Sequence, residues 1–351
     1  MNAEENLYRL PAEWEPQWGV LLTWPHEQTD WAPYLTDIVQ TMTEMAREIV
    51  KHENLVIVAE NPILVPEELR EDKRVRLFSF TTDDTWARDH GPITLLAHDG
   101  SQPCWLDFKF NGWGNKFKAD SDNLVPQKLW ASCRLFSQDF LLKSQQDFVL
   151  EGGSIESDGQ GTVFTTSQCL LAPERNQPLT KEELEAQLKH RLRVQRIVWL
   201  DHGNLIGDDT DGHIDTIVRP APEDTLLYVG TDNPKDEQYA DFQLLEKQLQ
   251  DLRTADGRPY QLLKLPMPEP IFEDDGHQLP ATYANFLILN EAVLVPIYGQ
   301  HDNDQRALNT IQQAFPDRKM VPIDSRTIIR QHGSIHCLTM QIPQWKEESE
   351  K

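Results

Sequence analysis

Residues 31–59 read WAPYLTDIVQTMTEMAREIVKHENLVIVA. Leu35, Ile38, Val39, Met42, Met45, Ala46, Ile49 and Val50 recur at three- and four-residue spacing, which predicts an amphipathic helix over Trp31–His52. Leu55–Ala59 then follows as a short apolar run of strand character. The same alternation recurs along the chain. Strand-like runs are Val75–Phe80, Ile93–Ala97, Trp105–Phe110, Thr162–Thr166, Ile197–Leu200, Leu226–Val229, Phe286–Leu289, Val293–Ile297 and Ile335–Met340. A second helix is predicted from Thr180, where Glu183 completes a capping box and Leu184, Leu188 and Leu192 share one face. Further helices are expected over Pro234–Arg253 and Asp304–Phe315. Strands alternating with helices predict an α/β or α+β domain whose sheets are covered on both faces. Pro266–Pro280, proline-rich and acidic, reads as a long surface loop, and Lys346–Lys351 as a charged tail.

The chain has 351 residues, 39% of them hydrophobic and 26% charged, a globular balance. No apolar run is long enough to span a bilayer. The start, Met1–Asn6, is acidic and polar, without a basic and apolar leader, so a cytoplasmic protein is expected. The net charge of −24 argues against nucleic acid and anionic membranes as partners. It accords with solubility, and also with attraction of a cationic substrate. Cys104, Cys133, Cys169 and Cys337 form no CxxC pair, so neither a disulfide framework nor a zinc cluster is indicated.

Polar residues that could do chemistry gather in five turn-like segments, centred on Asp89, Glu151, His213, Asn285 and Cys337. They recur at intervals of roughly 50–70 residues, as a ring of similar units would produce if each sent one loop to a shared axis. Cys337, in Gly333-Ser334-Ile335-His336-Cys337-Leu338, sits after a glycine turn at the start of an apolar strand, where a thiolate could face a cleft. The other three cysteines read as small buried hydrophobes. In Asp208-Asp209-Thr210-Asp211-Gly212-His213-Ile214-Asp215, an extended chain would turn His213 and Asp215 the same way, a pairing suited to acid–base work. A metal site on this HxD pair is the competing reading, although His26, His52, His98 and His190 lie in separate polar stretches that read as surface. Asp89 stands between Arg88 and a Gly-Pro turn, and Glu151 precedes Gly152-Gly153, where the backbone can approach closely. Several buried carboxylates require a cation between them, and a planar guanidinium fits two that face each other.

The blocks WARDHGP (86–92), FNGWGNKF (110–117), EGGSIESDGQGT (151–162), DDTDGHID (208–215) and GSIHC (333–337) resemble, in order, the agmatine deiminase and bacterial peptidylarginine deiminase family. The resemblance runs from Trp14 to Pro343. It implies a pentein fold, an α/β propeller of five ββαβ-type units around a pseudo-fivefold axis, in one catalytic domain over residues 7–344 with a charged tail at 345–351. It implies Cys337 as nucleophile, His213 as general acid and base, Asp89 and Asp215 as the grip on a guanidinium, and Glu151 as the group that orients the histidine. Trp86 would lie against the guanidinium plane, and Trp113 and Asn285 would bind substrate. Arg88 is the one arginine expected beside the site, paired with acidic neighbours. No metal or organic cofactor is implied, the partner is a small cation such as agmatine, and a homodimer is allowed. Near the nucleophile the sequence departs from the common GGGNIHC at Gln331-His332-Gly333-Ser334, and it has Gly112 where alanine is frequent. These changes bear on the distal part of the pocket. The resemblance therefore implies hydrolysis of agmatine to N-carbamoylputrescine and ammonia. Deimination of peptidylarginine or free arginine is the first alternative. A metal-dependent hydrolase, whose activity a chelator would abolish, is a second, and a silent binder of cations a third.

Overall fold

The structure, a computed structural model, describes residues 7–132 and 134–345, so Cys133, Met1–Asn6 and Lys346–Lys351 lie outside the described residues. It is an α/β fold built by repeating one connection five times. In each repeat an antiparallel strand pair is followed by a helix, and the chain then returns parallel to the pair's second strand. The first repeat joins Gln17–Thr23 through the helix Leu35–His52 to Asn54–Val58, with Val75–Phe78 added beyond. The second pairs Ile93–Ala97 with Cys104–Lys109, passes through Val125–Ser132 and returns as Leu141–Val149. The third uses Ile155–Ser157, Thr162–Thr166, the helix Lys181–Leu192 and Arg196–Leu200. The fourth uses Val218–Ala221, Thr225–Gly230, Tyr239–Asp251 and Gln261–Pro266. The fifth uses Leu287–Ile288, Ala292–Ile297, His301–Ala314 and Lys319–Asp324. The antiparallel partner missing from the first repeat is supplied by the far end of the chain, where Thr339–Pro343 pairs with Gln17–Thr23.

The helices cover the sheets with the faces their spacing predicts. Ile38, Met42, Met45, Ala46 and Ile49 are fully buried, and the helix starts at Leu35 after a single 3-10 turn over Ala32–Tyr34. Leu184, Leu188 and Leu192 are fully buried, each worth about 1.5–3 kcal/mol, and the Thr180–Glu183 capping box is formed. The 266–280 loop carries a short hairpin, Ile271–Phe272 against Gln278–Leu279. Trp345, assigned from sequence to the tail, packs its ring 4.4 Å from that of Phe140. No helix among the described residues is long and apolar enough to cross a membrane.

The architecture places the site by a simple rule. Asp89, Glu151, Asp215, Asn285 and Cys337 each lie just before the first strand of an antiparallel pair, at Ile93, Ile155, Val218, Leu287 and Thr339. Five segments of different sequence therefore occupy equivalent positions in five repeats.

Candidate active site

Cys337 is not in a strand. It occupies a turn two residues before Thr339, so the strand expected over Ile335–Met340 begins later, and the thiol is carried on a bend. The bend is held by Asn285, whose Oδ1 accepts from the backbone N–H of His336 at 2.9 Å and of Cys337 at 3.2 Å and lies 3.4 Å from the Cys337 Sγ. The Asn285 amide in turn donates to Asp215 Oδ2 at 3.2 Å. Asn285 was expected to bind substrate. Its carboxamide is instead committed to the nucleophile's backbone and to Asp215, and it does not line the cavity. Asp215 Oδ2 lies 3.8 Å from the Cys337 Sγ, while Oδ1 is buried with no hydrogen-bond partner among the described residues.

His213 and Asp215 do not alternate on an extended chain. Ile214–Thr216 form one 3-10 turn, and both side chains still reach the same place, fully buried. Among the described residues neither ring nitrogen of His213 has a hydrogen-bond partner, and Nδ1 lies 3.6 Å from Asp89 Oδ1. Asp89 accepts from the Trp113 indole at 2.9 Å and from the Gly153 N–H at 3.0 Å. That last contact explains the paired glycines. A β-carbon at Gly152 would strike the Arg88 carbonyl at 2.1 Å, and one at Gly153 would enter the site itself. Glu151 has an oxygen within 4.8 Å of a His213 ring nitrogen. Its strongest tie is an ion pair with Arg175 Nε at 2.8 Å, both side chains being fully buried.

Above these groups opens a cavity of about 150 Å³ lined by Cys337, Asp89, Trp86, Trp113, Phe117 and Gly333, with Asp209, Thr210, Gln331 and His332 completing its wall. Trp86 is fixed by donating its indole N–H to Asp84 Oδ2 at 3.1 Å. A β-carbon at Gly333 would stand 2.1 Å from the Trp86 ring, so glycine is what lets the ring lie where it does.

The electrostatics follow from burial. Burial, followed by the facing charges of Asp215 and Glu151, pushes Asp89 well above the usual carboxylate range. Burial acts on Asp215 too, but the hydrogen bond and charge of His336 outweigh it and hold Asp215 below the usual range. Burial drives His213 down to about 3, so its ring is neutral at pH 7. Burial, then Asp215 and Asp89, pushes the Cys337 thiol well up. The buried site thus favours a thiol and a neutral imidazole, and sets Asp89, pushed up, against Asp215, held down. A cation placed between the acids would reverse the balance.

Among the described residues, two clusters have the composition of a metal site: Glu151 with Cys169 and His213, and Glu13 with Glu156 and His336. In each a guanidinium already neutralises the carboxylates. Arg175 lies on Glu151, and Arg219 lies 2.8 Å from Glu13 and 2.6 Å from Glu156. The carboxylates of both clusters are thus tied into internal ion pairs, and Asp215 of the HxD pair belongs to neither cluster.

The family model of the Porphyromonas-type peptidyl-arginine deiminase matches residues 9–343. The chain belongs to this family. A Vibrio parahaemolyticus protein provisionally named an agmatine deiminase is 33% identical over 97% of this chain and 98% of its own length. Among solved structures, a Porphyromonas gingivalis protein provisionally named an arginine deiminase is 46% identical with a TM-score of 0.88, covering 96% of this chain and 99% of that one. The C. jejuni agmatine deiminase, as a cysteine-to-serine variant with substrate bound, is 34% identical with a TM-score of 0.88, covering 96% and 97%.

Within this family member, sequence reasoning missed several participants. Arg88 is not the one arginine beside the site, because Arg175 pairs with Glu151 and with Asp211 at 2.8 Å. Arg88 itself bonds Gln341 at 2.6 Å and lies 3.9 Å from Glu13. His26, read as surface, is 2% exposed. Glu13, Asp84 and His336 were also passed over. The signal for Arg175 is faint, a basic residue in a polar loop. His336 stands next to the nucleophile and was open to notice.

Proposed function

We propose that this protein is an agmatine deiminase, hydrolysing agmatine to N-carbamoylputrescine and ammonia. The observation that carries the reading is the gathering of Cys337, His213, Asp89 and Asp215 from two repeats and the turn before Thr339–Pro343, with Asp215 Oδ1 and both His213 nitrogens buried and unpartnered among the described residues. A guanidinium supplies the N–H groups that such an arrangement lacks.

In this mechanism the guanidinium enters flat beside Trp86, bridged by Asp89 and Asp215; its charge favours the Asp89 carboxylate, whose proton is released to solvent, and the Cys337 thiolate. Sulfur attacks the central carbon to give a tetrahedral adduct. The thiol proton passes to His213, which delivers it to the departing nitrogen, and ammonia leaves an S-alkylthiouronium. Water, deprotonated by His213, then adds to the same carbon. The C–S bond breaks, the thiol regains a proton, and the ureido product is released. No step requires a metal or organic cofactor.

For the substrate's tail, Asp209 in the cavity wall offers a carboxylate, and among the described residues no arginine lines the cavity. Agmatine ends in an ammonium and carries no carboxylate, so it suits this wall. The second reading, arginine or peptidylarginine, is favoured by the P. gingivalis relative and by Lys116, which binds the Asp209 carbonyl and Asp211 at the rim. The same reading includes a single domain over residues 7–344, five units arranged about an axis through the site in the pentein manner, a homodimer and a cytoplasmic setting. The equivalent placement of five site loops before five strand pairs supports the axial arrangement. The test is ammonia release and product mass from agmatine, arginine and a blocked arginyl peptide, each against Cys337→Ser. Turnover of agmatine alone, lost in the variant, is expected. Preferred turnover of arginine or the peptide would overturn the substrate, and activity retained in the variant would overturn the nucleophile.

A further inference from the structure

Behind the nucleophile lies a file of charges with no part in the reaction as described. The His336 ring is committed on both sides: Nδ1 is 2.8 Å from Asp215 Oδ2 and Nε2 is 2.7 Å from Glu13 Oε2, with the residue 1% exposed. A neutral imidazole has one N–H and one lone pair, so only an imidazolium can donate to two carboxylates. Glu13 is itself anchored. Against the cost of its burial, the charges of His336 and Arg219 hold it below the usual carboxylate range. Arg219 Nη2 is 2.8 Å from Glu13, and Arg88 lies beyond at 3.9 Å. Arg219 also ties to Glu156, which closes the file. On the cavity side, Asp215 faces Cys337, His213 and Asp89.

Two buried carboxylates this close to one another would, left alone, share a proton with no preference between them. Here the two differ, because one is backed by a cation and the other by an indole and an amide. We propose that His336, gripped by Glu13, is a positioning residue that fixes Asp215 as the standing anion of the site and leaves its Oδ1 free for the guanidinium. Asp89 is then the carboxyl whose proton is displaced on binding. The proposal rests on the reading of Asp215 as a grip on a cationic substrate.

The test uses the full-length enzyme. Glu13→Gln and His336→Gln keep size and polarity but remove the charge at each step. Both are expected to raise KM for agmatine at least about tenfold at pH 7 with a smaller change in kcat. The acidic limb of kcat/KM should move up by about one pH unit, because Asp215 without the cation behind it holds its proton to higher pH. Glu13→Asp should recover most of the loss. Independently, the ¹⁵N spectrum of His336 in unliganded wild-type protein should show two equivalent protonated ring nitrogens. Folded variants with unchanged KM and acidic limb, whatever their melting temperature, overturn the proposal, as does a neutral His336 tautomer in the wild type. Should the variants fail to fold, the nitrogen spectrum decides. If wild-type protein turns over no guanidino compound, the proposed activity falls, while the spectrum still judges His336 on its own.

Discussion

Gly153 and His213 meet because one of them has no side chain: a β-carbon at 153 would stand 2.6 Å from His213 Nδ1. The same carbon would lie 2.9 Å from Asp89 Oδ1 and 3.2 Å from Asp215 Oδ2, so one methyl group would press on three of the site's groups at once. Gly153→Ala is therefore expected to lower kcat about 100-fold, the cost of an ångström-scale displacement of reacting groups. Steady-state kinetics beside a melting curve would check it, and a variant with wild-type kcat would show that the groups yield freely.

Asp89 opposes folding in the empty enzyme. Its native carboxyl keeps a proton that the unfolded chain gives up, so stability falls as pH rises above the ordinary carboxylate range. Asp89→Asn is neutral at every pH. Its melting temperature should exceed that of wild type, by a margin that widens from about pH 4 upward. Its activity should fall about 100–1,000-fold, since a charge facing the transition state is gone. Calorimetry over a pH series gives the sign directly.

The Cys337 thiol is predicted to be protonated in the free enzyme at pH 7, since burial and two acidic neighbours push it up. Ultraviolet thiolate absorbance should be lacking at neutral pH and should appear when an unreactive alkylguanidinium or amidinium is added. Full thiolate absorbance without ligand would refute this.

Arg175 and Glu151 form a buried pair with both side chains at 0% exposure. Arg175→Met leaves Glu151 as an uncompensated buried acid. A loss of about 3–5 kcal/mol in unfolding free energy is expected. Denaturant titration would measure it, and the double variant Arg175→Met/Glu151→Gln should regain part of it.

The repeating architecture was legible where a strand is buried on both faces. Ile93–Ala97 and Thr162–Thr166 read as short strand-like runs, and the observed strands have the same bounds. Gln17–Thr23, Leu141–Val149 and Val218–Ala221 escaped notice. Leu141–Val149 is largely polar and half exposed, and Val218–Ala221 carries Arg219 and a proline, so neither shows the periodicity that marks a strand. Of the site, the residues that meet solvent-accessible space were found through their motifs. The supporting layer was not, because Glu13 and His336 are joined across 323 positions and no local pattern encodes such a pairing. The extended reading of His213–Asp215 failed for a related reason, since a 3-10 turn that brings two side chains together leaves no trace in alternating polarity.

The pairing of Thr339–Pro343 with Gln17–Thr23 has a consequence for biosynthesis. Gln17–Thr23 emerges from the ribosome long before its antiparallel neighbour and the sulfur two residues ahead of that neighbour. Four of the five repeats can assemble while translation continues, but chemistry must wait for the stretch that welds the two ends together. A chain terminated before Cys337 would lack both the strand that completes the first repeat and the nucleophile, and is expected to be chemically inert.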